Sequence, residues 1–291
     1  MKGPALIKLG INPMPTLDWR QIDWPARARQ LREMGFSSTT IFIHKPLESD
    51  PIDALTIKMA CEQAGLAINQ ANGWYESLIN PDEEVRAEGI KGMQAVCRYG
   101  VVLQSRSVYV RPGSVNPNGH WWAHPDNYSQ KTFDRLVDSI QKVCRVAEIE
   151  GVQVAIEGHV QTSLDTPERV SDLFAAVASP ALKFNLDPVN FMGNVRDVLS
   201  TERIINTLFD LLGAHVVAAH AKDCGLAEAF TMQIHEVVIG TGTLDYELFL
   251  KRFMETCPDK DFIIEHLPEE KIPQARENLR KVAERLNIAF E

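Results

Sequence analysis

The chain has 291 residues, 45% of them apolar and 24% charged, which is enough to bury a large core and excludes disorder, collagen-like repeats and membrane spans. Thirty Lys and Arg stand against 39 Asp and Glu, a formal net charge of −9, so neither nucleic acid nor an anionic membrane is expected as a partner. Five cysteines without a C-x-x-C pair, and a short apolar start broken by Lys8 and Gly10, predict reduced core thiols, no export signal and a cytoplasmic protein.

Along the chain, Ala5–Asn12 reads as a strand and about 24–34 as a helix, followed by strand Ser38–His44 and helix 53–64. Strand Ala67–Gly73, helix 82–98, strand Ser107–Gly113 and helix 129–149 come next. Strand Val152–His159, helix 167–178, strand Leu182–Asn190 and helix 201–212 continue the alternation, and strand Val216–Cys224, helix 245–256, strand Asp261–Leu267 and helix 270–286 end it. Asp53, Ser129 and Thr166 are expected N-caps, and Gly35, Gly65 and Gly151 expected helix stops. Strict βα alternation with apolar strands predicts a parallel sheet covered by helices, and eight units close most simply into one α/β (β/α)8 TIM barrel domain spanning 1–291. A doubly wound open sheet is the rival, but Ile11-Asn12-Pro13-Met14-Pro15 is no phosphate-cradling turn. The long irregular segments 112–128 and 225–244 are expected over the active-site face.

A barrel places chemistry at the carboxyl ends of its strands. Seven of the eight histidines fall there: His44, His120, His124, His159, His220, His235 and His266, with only His215 preceding a strand. Three apolar strands run directly into an acid, at Glu157, Asp187 and Glu265. Carboxylates converging on one barrel mouth repel and must be neutralised. Together with His220 they make a mostly oxygen, four-ligand site for one divalent ion: Mn²⁺, Mg²⁺ or Co²⁺, with Zn²⁺ less suited. The alternative is a metal-free ion-pair network in which Lys222 balances Glu157, Asp187 and Asp223.

Glu157-Gly158-His159, Asp187 with Asn190, His220-Ala221-Lys222-Asp223, the run Ile239–Asp245 and Ile264-Glu265-His266 resemble the xylose-isomerase-like sugar phosphate isomerase/epimerase barrels in order and position. The resemblance covers most of the chain from about Ser129 onward and, more loosely, the first half. It implies a (β/α)8 barrel holding one divalent cation through Glu157, Asp187, His220 and Glu265. Its members include isomerases, epimerases, dehydratases, C-glycoside-cleaving lyases and apurinic-site endonucleases. Asn190 stands where several relatives have a histidine, and His235 is one residue further from the glycine loop than the endonuclease ligand it resembles. Both departures, with the acidic net charge, weaken the DNA-repair reading.

The expected chemistry is proton abstraction next to a carbonyl through a metal-stabilised enediolate, with Glu157 and Glu265 as proton carriers. A lyase on the same scaffold, a 3-keto-C-glycoside deglycosidase or an inosose dehydratase, is the alternative. Lys222 holds an oxyanion or substrate phosphate, or else a salt bridge, and His159 bonds substrate, carries a proton or orients a ligand. Arg111, His120, Trp121, Trp122 and His124 form an expected substrate wall, joined by Trp74, Asn190 and His266, for a small sugar, polyol or glycoside. The two adjacent tryptophans alternatively pin an interface, in a homo-oligomer or with a small partner subunit. A sugar-binding or partner-binding subunit that kept the barrel but lost activity is the non-enzymatic reading.

Overall fold

The structure, a computed structural model, describes residues 5–13 and 17–291. Eight parallel strands close into a barrel: β1 (Ala5–Asn12), β2 (Ser38–Ile43), β3 (Ala67–Gly73), β4 (Ser107–Val110), β5 (Val154–Ile156), β6 (Leu182–Leu186), β7 (Val216–Ala221) and β10 (Asp261–Glu265). Each pairs with the next, and β10 returns to β1 in the register Lys8 opposite Asp261 through Asn12 opposite Glu265. Helices α1 (Trp24–Glu33), α2 (Leu55–Gln63), α3 (Glu83–Leu103), α4 (Gln130–Glu150), α5 (Pro167–Val177), α7 (Glu202–Leu212), α8 (Tyr246–Thr256) and α9 (Ile272–Arg285) occupy the expected places between strands. This is the (β/α)8 barrel the alternation predicts. The turn expected after β1 runs into Met14 and Pro15, which lie outside the described residues.

Local chemistry sets the helix ends. Ser129 and Thr166 accept the N–H of Thr132 and Arg169 as N-caps, and Gly35, Gly65 and Gly151 adopt φ of 82°, 67° and 73° past helix ends. Asp53 is not a cap. Asp50 accepts the N–H of Ile52 and opens a 3-10 turn, Pro51–Ala54, which feeds α2. All five cysteines are buried and unbridged. No helix among the described residues is long and apolar enough to cross a membrane.

Three elements go beyond the simple alternation. A five-residue helix, α6 (Val195–Leu199), precedes α7. Strand β11 (Ile288–Phe290) pairs with the start of β1 outside the closed barrel. The segment after β7 folds into an antiparallel hairpin, β8 (Asp223–Leu226) with β9 (Ile234–Val237), so the strand expected to reach Cys224 stops at Ala221. Inside the barrel, Ser38 bonds Asp261 at 2.7 Å and Gln70 bonds Asn185 at 2.9 Å. These contacts join non-neighbouring strands, so much of the barrel interior is polar while Val, Leu and Ile pack beneath the helices. Register shifts lie beside both Gln70 and Asn185, where a bulge re-aims side chains.

Candidate metal centre and active site

Four ligand atoms, one each from Glu157, Asp187, His220 and Glu265, lie within 4.8 Å of one another, and all four residues are buried. The ladders of β5 and β6 stop one residue short of Glu157 and Asp187, whereas His220 and Glu265 lie within the last residues of β7 and β10. Asp187 follows the end of β6 because its Oδ1 accepts the N–H of Val189 at 3.0 Å and of Asn190 at 3.4 Å, turning the chain out of the sheet.

His220 Nδ1 lies 2.9 Å from Oε1 of Glu157 and 2.9 Å from Oε1 of Glu265. Neither contact is aligned as a hydrogen bond, and Asp187 Oδ2 is likewise buried without an aligned partner among the described residues. A directed chain fixes the imidazole. Asn185 donates to Glu157 Oε1 at 2.8 Å, Gln70 donates to Asn185 Oδ1, and Gln70 Oε1 therefore accepts from His220 Nε2 at 3.2 Å. With Nε2 holding its hydrogen, Nδ1 can present either a proton or a lone pair to the carboxylates. The outer oxygens are also claimed: Tyr109 Oη donates to Glu157 Oε2 at 2.7 Å, and Asn12 Nδ2 donates to Glu265 Oε2 at 3.0 Å. What remains is a ring of three carboxylate oxygens and one imidazole nitrogen, the donor set of a hard or borderline divalent cation. The cluster can hold one.

Lys222 sits just past β7 with Nζ 2.7 Å from Asp187 Oδ2, 2.6 Å from Glu265 Oε1 and 3.1 Å from Asn190 Oδ1. Burial disfavours its charge, but Asp187, Glu265 and Glu157 outweigh that and raise its pKa well above the lysine range. Its expected pairing with Asp223 does not form. Asp223 instead accepts four backbone N–H groups, from Cys224 and Leu244 on one oxygen and from Gly240 and Gly242 on the other, at 2.9 to 3.1 Å. The glycine loop thus wraps a buried carboxylate, and its N–H groups are spent on it. A Cβ at Gly242 would lie 2.3 Å from both Asp223 Oδ1 and Cys224 O. Gly242→Ala is expected to cost about 1–3 kcal/mol in urea melts; an unchanged midpoint would show that the loop yields.

Electrostatics separate the acids. Burial raises the Asp187 pKa to about 6, Lys222 only partly opposing it while Glu157 and Glu265 add repulsion. Burial also opposes ionisation of Glu157, but His220 and Lys222 hold its pKa below the usual range. For Glu265 burial is outweighed by His220, His266 and Lys222, and the pKa falls well below that range. Burial lowers His220, yet Glu265 and Glu157 lift it to about 10.

Above this floor opens a cavity of about 860 Å³. Trp74, Arg111, His120, Trp121, Trp122, His159, Asn190 and His266 all line it, as does His235 at the rim. His124 does not: its Nδ1 accepts the N–H of Asp126 at 3.2 Å and opens the 3-10 turn Pro125–Tyr128. His44 is also absent from the wall. Burial and then Lys222 lower the His159 pKa to about 4, and its Nδ1 accepts the N–H of Gln161 at 3.1 Å, leaving the proton on Nε2. His266 adopts φ 59°, and its Nδ1 reaches Glu236 on β9 at 3.2 Å, tying the hairpin to β10. The Glu265 charge raises its pKa.

Sequence reasoning did not find Gln70, Asn185, Tyr109 or Asn12. The available signal was a polar residue inside an otherwise apolar buried strand, as in Phe184-Asn185-Leu186. Gln70→Leu removes the acceptor that fixes His220, and metal affinity is expected to fall by about 10- to 100-fold. A calorimetric titration showing wild-type affinity would rule out this positioning role.

The family model described as xylose isomerase-like TIM barrel matches residues 28–286. No curated protein matches the chain. Among solved structures, D-psicose 3-epimerase with D-tagatose from Clostridium cellulolyticum H10 is 15% identical, with 97% of this chain and 100% of that one covered and a TM-score of 0.71. The 3-keto-D-glucoside 4-epimerase YcjR from E. coli, in its apo form, is 17% identical over 95% and 98%, with a TM-score of 0.69. A xylose isomerase-like TIM barrel protein from Mycobacterium smegmatis in complex with magnesium is 16% identical over 91% and 88%, with a TM-score of 0.70. At these identities the likeness is one of fold, whereas the family match spans nearly the whole barrel, and the chain belongs to the xylose isomerase-like TIM barrel family.

Proposed function

We propose that the chain is a divalent-metal-dependent sugar isomerase or epimerase that moves a proton on a carbon next to a carbonyl. One observation carries the reading: the buried carboxylates of Glu157 and Glu265 flank His220 Nδ1 at 2.9 Å each, at the floor of a cavity large enough for a sugar. Two of the structural relatives are named as epimerases of keto sugars, which favours reprotonation over the expulsion of a leaving group by a lyase.

A bound divalent cation, Mn²⁺ by our reading of the oxygen-rich donor set and with Mg²⁺, Co²⁺ and Zn²⁺ as alternatives, supplies the Lewis acidity that makes such a proton easier to remove. Glu265, kept ionised by His220, His266 and Lys222, is one proton acceptor. Glu157, whose Oε2 takes a hydrogen bond from Tyr109, serves the other face. Asp187 and His220 act as ligands only. Lys222 spans Asp187 and Glu265 and offers its ammonium to a substrate oxygen. His159, neutral and protonated on Nε2, donates a hydrogen bond. Trp74, Trp121 and Trp122 form the wall against which a ring packs, with His120, Asn190 and His266 as polar contacts.

The test is incubation of metal-loaded protein in D₂O with ketoses, inososes and 3-keto-glycosides. One α-proton of at least one of them should exchange, with about one metal per chain. Absence of exchange across the panel, or the same exchange after chelation, would reject the reading.

A further inference from the structure

Among the described residues only two basic side chains of the Lys and Arg type are buried, Lys222 and Arg111. Lys222 has two carboxylate partners. Arg111, 5% exposed and lining the cavity, has none. Its Nη1 donates to Asn72 Oδ1 at 3.2 Å and its Nη2 to the Gly73 carbonyl at 2.7 Å, both neutral. Its Nε is buried without a partner. The guanidinium carbon lies 4.3 Å from the Tyr75 ring centroid and 5.6 Å from that of Trp74. Those rings hold a cation in place without neutralising it. None of the residues outside the described set is acidic, for they are Met1, Lys2, Gly3, Pro4, Met14, Pro15 and Thr16.

The charges of the floor balance without Arg111. Glu157, Asp187 and Glu265 are matched by Lys222 and the double charge of a divalent cation, with His220 neutral as a ligand. Glu236, the remaining acid of the cavity lining, is engaged by His266 Nδ1 at 3.2 Å, so Arg111 stands in the wall without a counter-ion, and its planar fork suits a carboxylate or phosphate. We infer that Arg111 forms an anion subsite, so that the substrate is a sugar or polyol carrying a carboxylate or phosphate. The inference rests on the function proposed above and narrows it. Keeping a guanidinium buried without a counter-ion is costly, and an anionic substrate supplies the missing partner on binding.

The test uses three ligands that share one carbon skeleton and differ at the end remote from the carbonyl: D-fructose, D-fructuronate and D-fructose 6-phosphate, titrated calorimetrically into metal-loaded protein. One of the two anions should bind about tenfold or more tightly than fructose, and which one it is tells carboxylate from phosphate. Arg111→Met should erase the preference and Arg111→Lys should keep part of it. Asn72→Asp is nearly isosteric and places an acid against Nη1, so it should also erase the preference in a protein that folds normally. Equal binding of the three ligands, binding of none, or a preference that survives Asn72→Asp would each overturn the anion subsite. Metal stoichiometry and α-proton exchange are measured separately, so the proposed reaction stands or falls on its own.

Discussion

Replacing Glu265 with Gln is expected to lower turnover by about two to four orders of magnitude, the loss typical of a missing general acid–base group, and Glu157→Gln should do the same. Each amide keeps an oxygen for the cation but can neither take up nor return the proton. Metal content should fall far less than turnover, because the oxygens of Asp187 and the nitrogen of His220 are untouched. Exchange of an α-proton in D₂O, measured beside elemental analysis of the same sample, separates the two effects. Near-normal exchange in either variant would withdraw that residue as a proton carrier. His159 could not easily replace it. Its free nitrogen already holds the proton, its other nitrogen accepts the N–H of Gln161, and burial beside Lys222 keeps its pKa at about 4. A neutral imidazole of that kind is a hydrogen-bond donor and a weak base.

The cluster of Glu157, Asp187, His220 and Glu265 was legible because an acid closing an apolar strand has few structural uses. Glu157, Asp187 and Glu265 each break such a run, and a barrel brings strand ends together whatever the loops do. The strand ends themselves were not legible. The strands read from the sequence run on to Gly113 and Asn190, whereas the ladders stop at Val110 and Leu186. What stops the sixth is a side-chain event, the capture of two N–H groups by Asp187 Oδ1, which hydrophobic periodicity does not encode.

The hairpin β8–β9 escaped notice for a related reason. Ile234-His235-Glu236-Val237 is half polar, and its only strand partner among the described residues is the equally short β8. Its anchor is Asp223, which the sequence offered as a counter-ion for Lys222 and which instead binds four N–H groups of the chain around it. Gln70 and Asn185 stayed hidden because their hydrogen bonds cross the barrel, between residues 115 and 150 positions apart. Local patterning shows that a polar residue lies in a buried strand; only closure of the barrel shows what it touches. Arg111 is the reverse case. Its place after β4 was apparent, but the lack of any acid beside it is a property of the folded cavity alone.

Metal uptake is expected to expel protons, and its affinity to fall as the pH is lowered. In the metal-free protein burial alone would lower the His220 pKa, yet Glu265 and Glu157 lift it to about 10. Nδ1 therefore carries a proton at neutral pH, and the cation must displace it. Below pH 10 each unit of acidification should weaken binding by about tenfold, the cost of one competing proton. Asp187, raised by burial to about 6, takes up a second proton in more acid solution, and the slope should then approach about a hundredfold per unit. Calorimetry in buffers of different ionisation enthalpy should count about one proton released at pH 7 and nearly two at pH 5. The sign for the metal-free fold follows from the same shift. A raised imidazole pKa contributes stability that is complete below about 6.5, the unfolded value, and is lost as the pH climbs through the folded one. Cation binding should accordingly raise the melting temperature most in alkaline solution, where that proton is no longer present to offset the carboxylates. His220→Ala and Asp187→Ala should each retain well under about a tenth of the wild-type metal. Full occupancy in both variants would remove His220 and Asp187 from the centre, and metal uptake at pH 7 without proton release would remove His220.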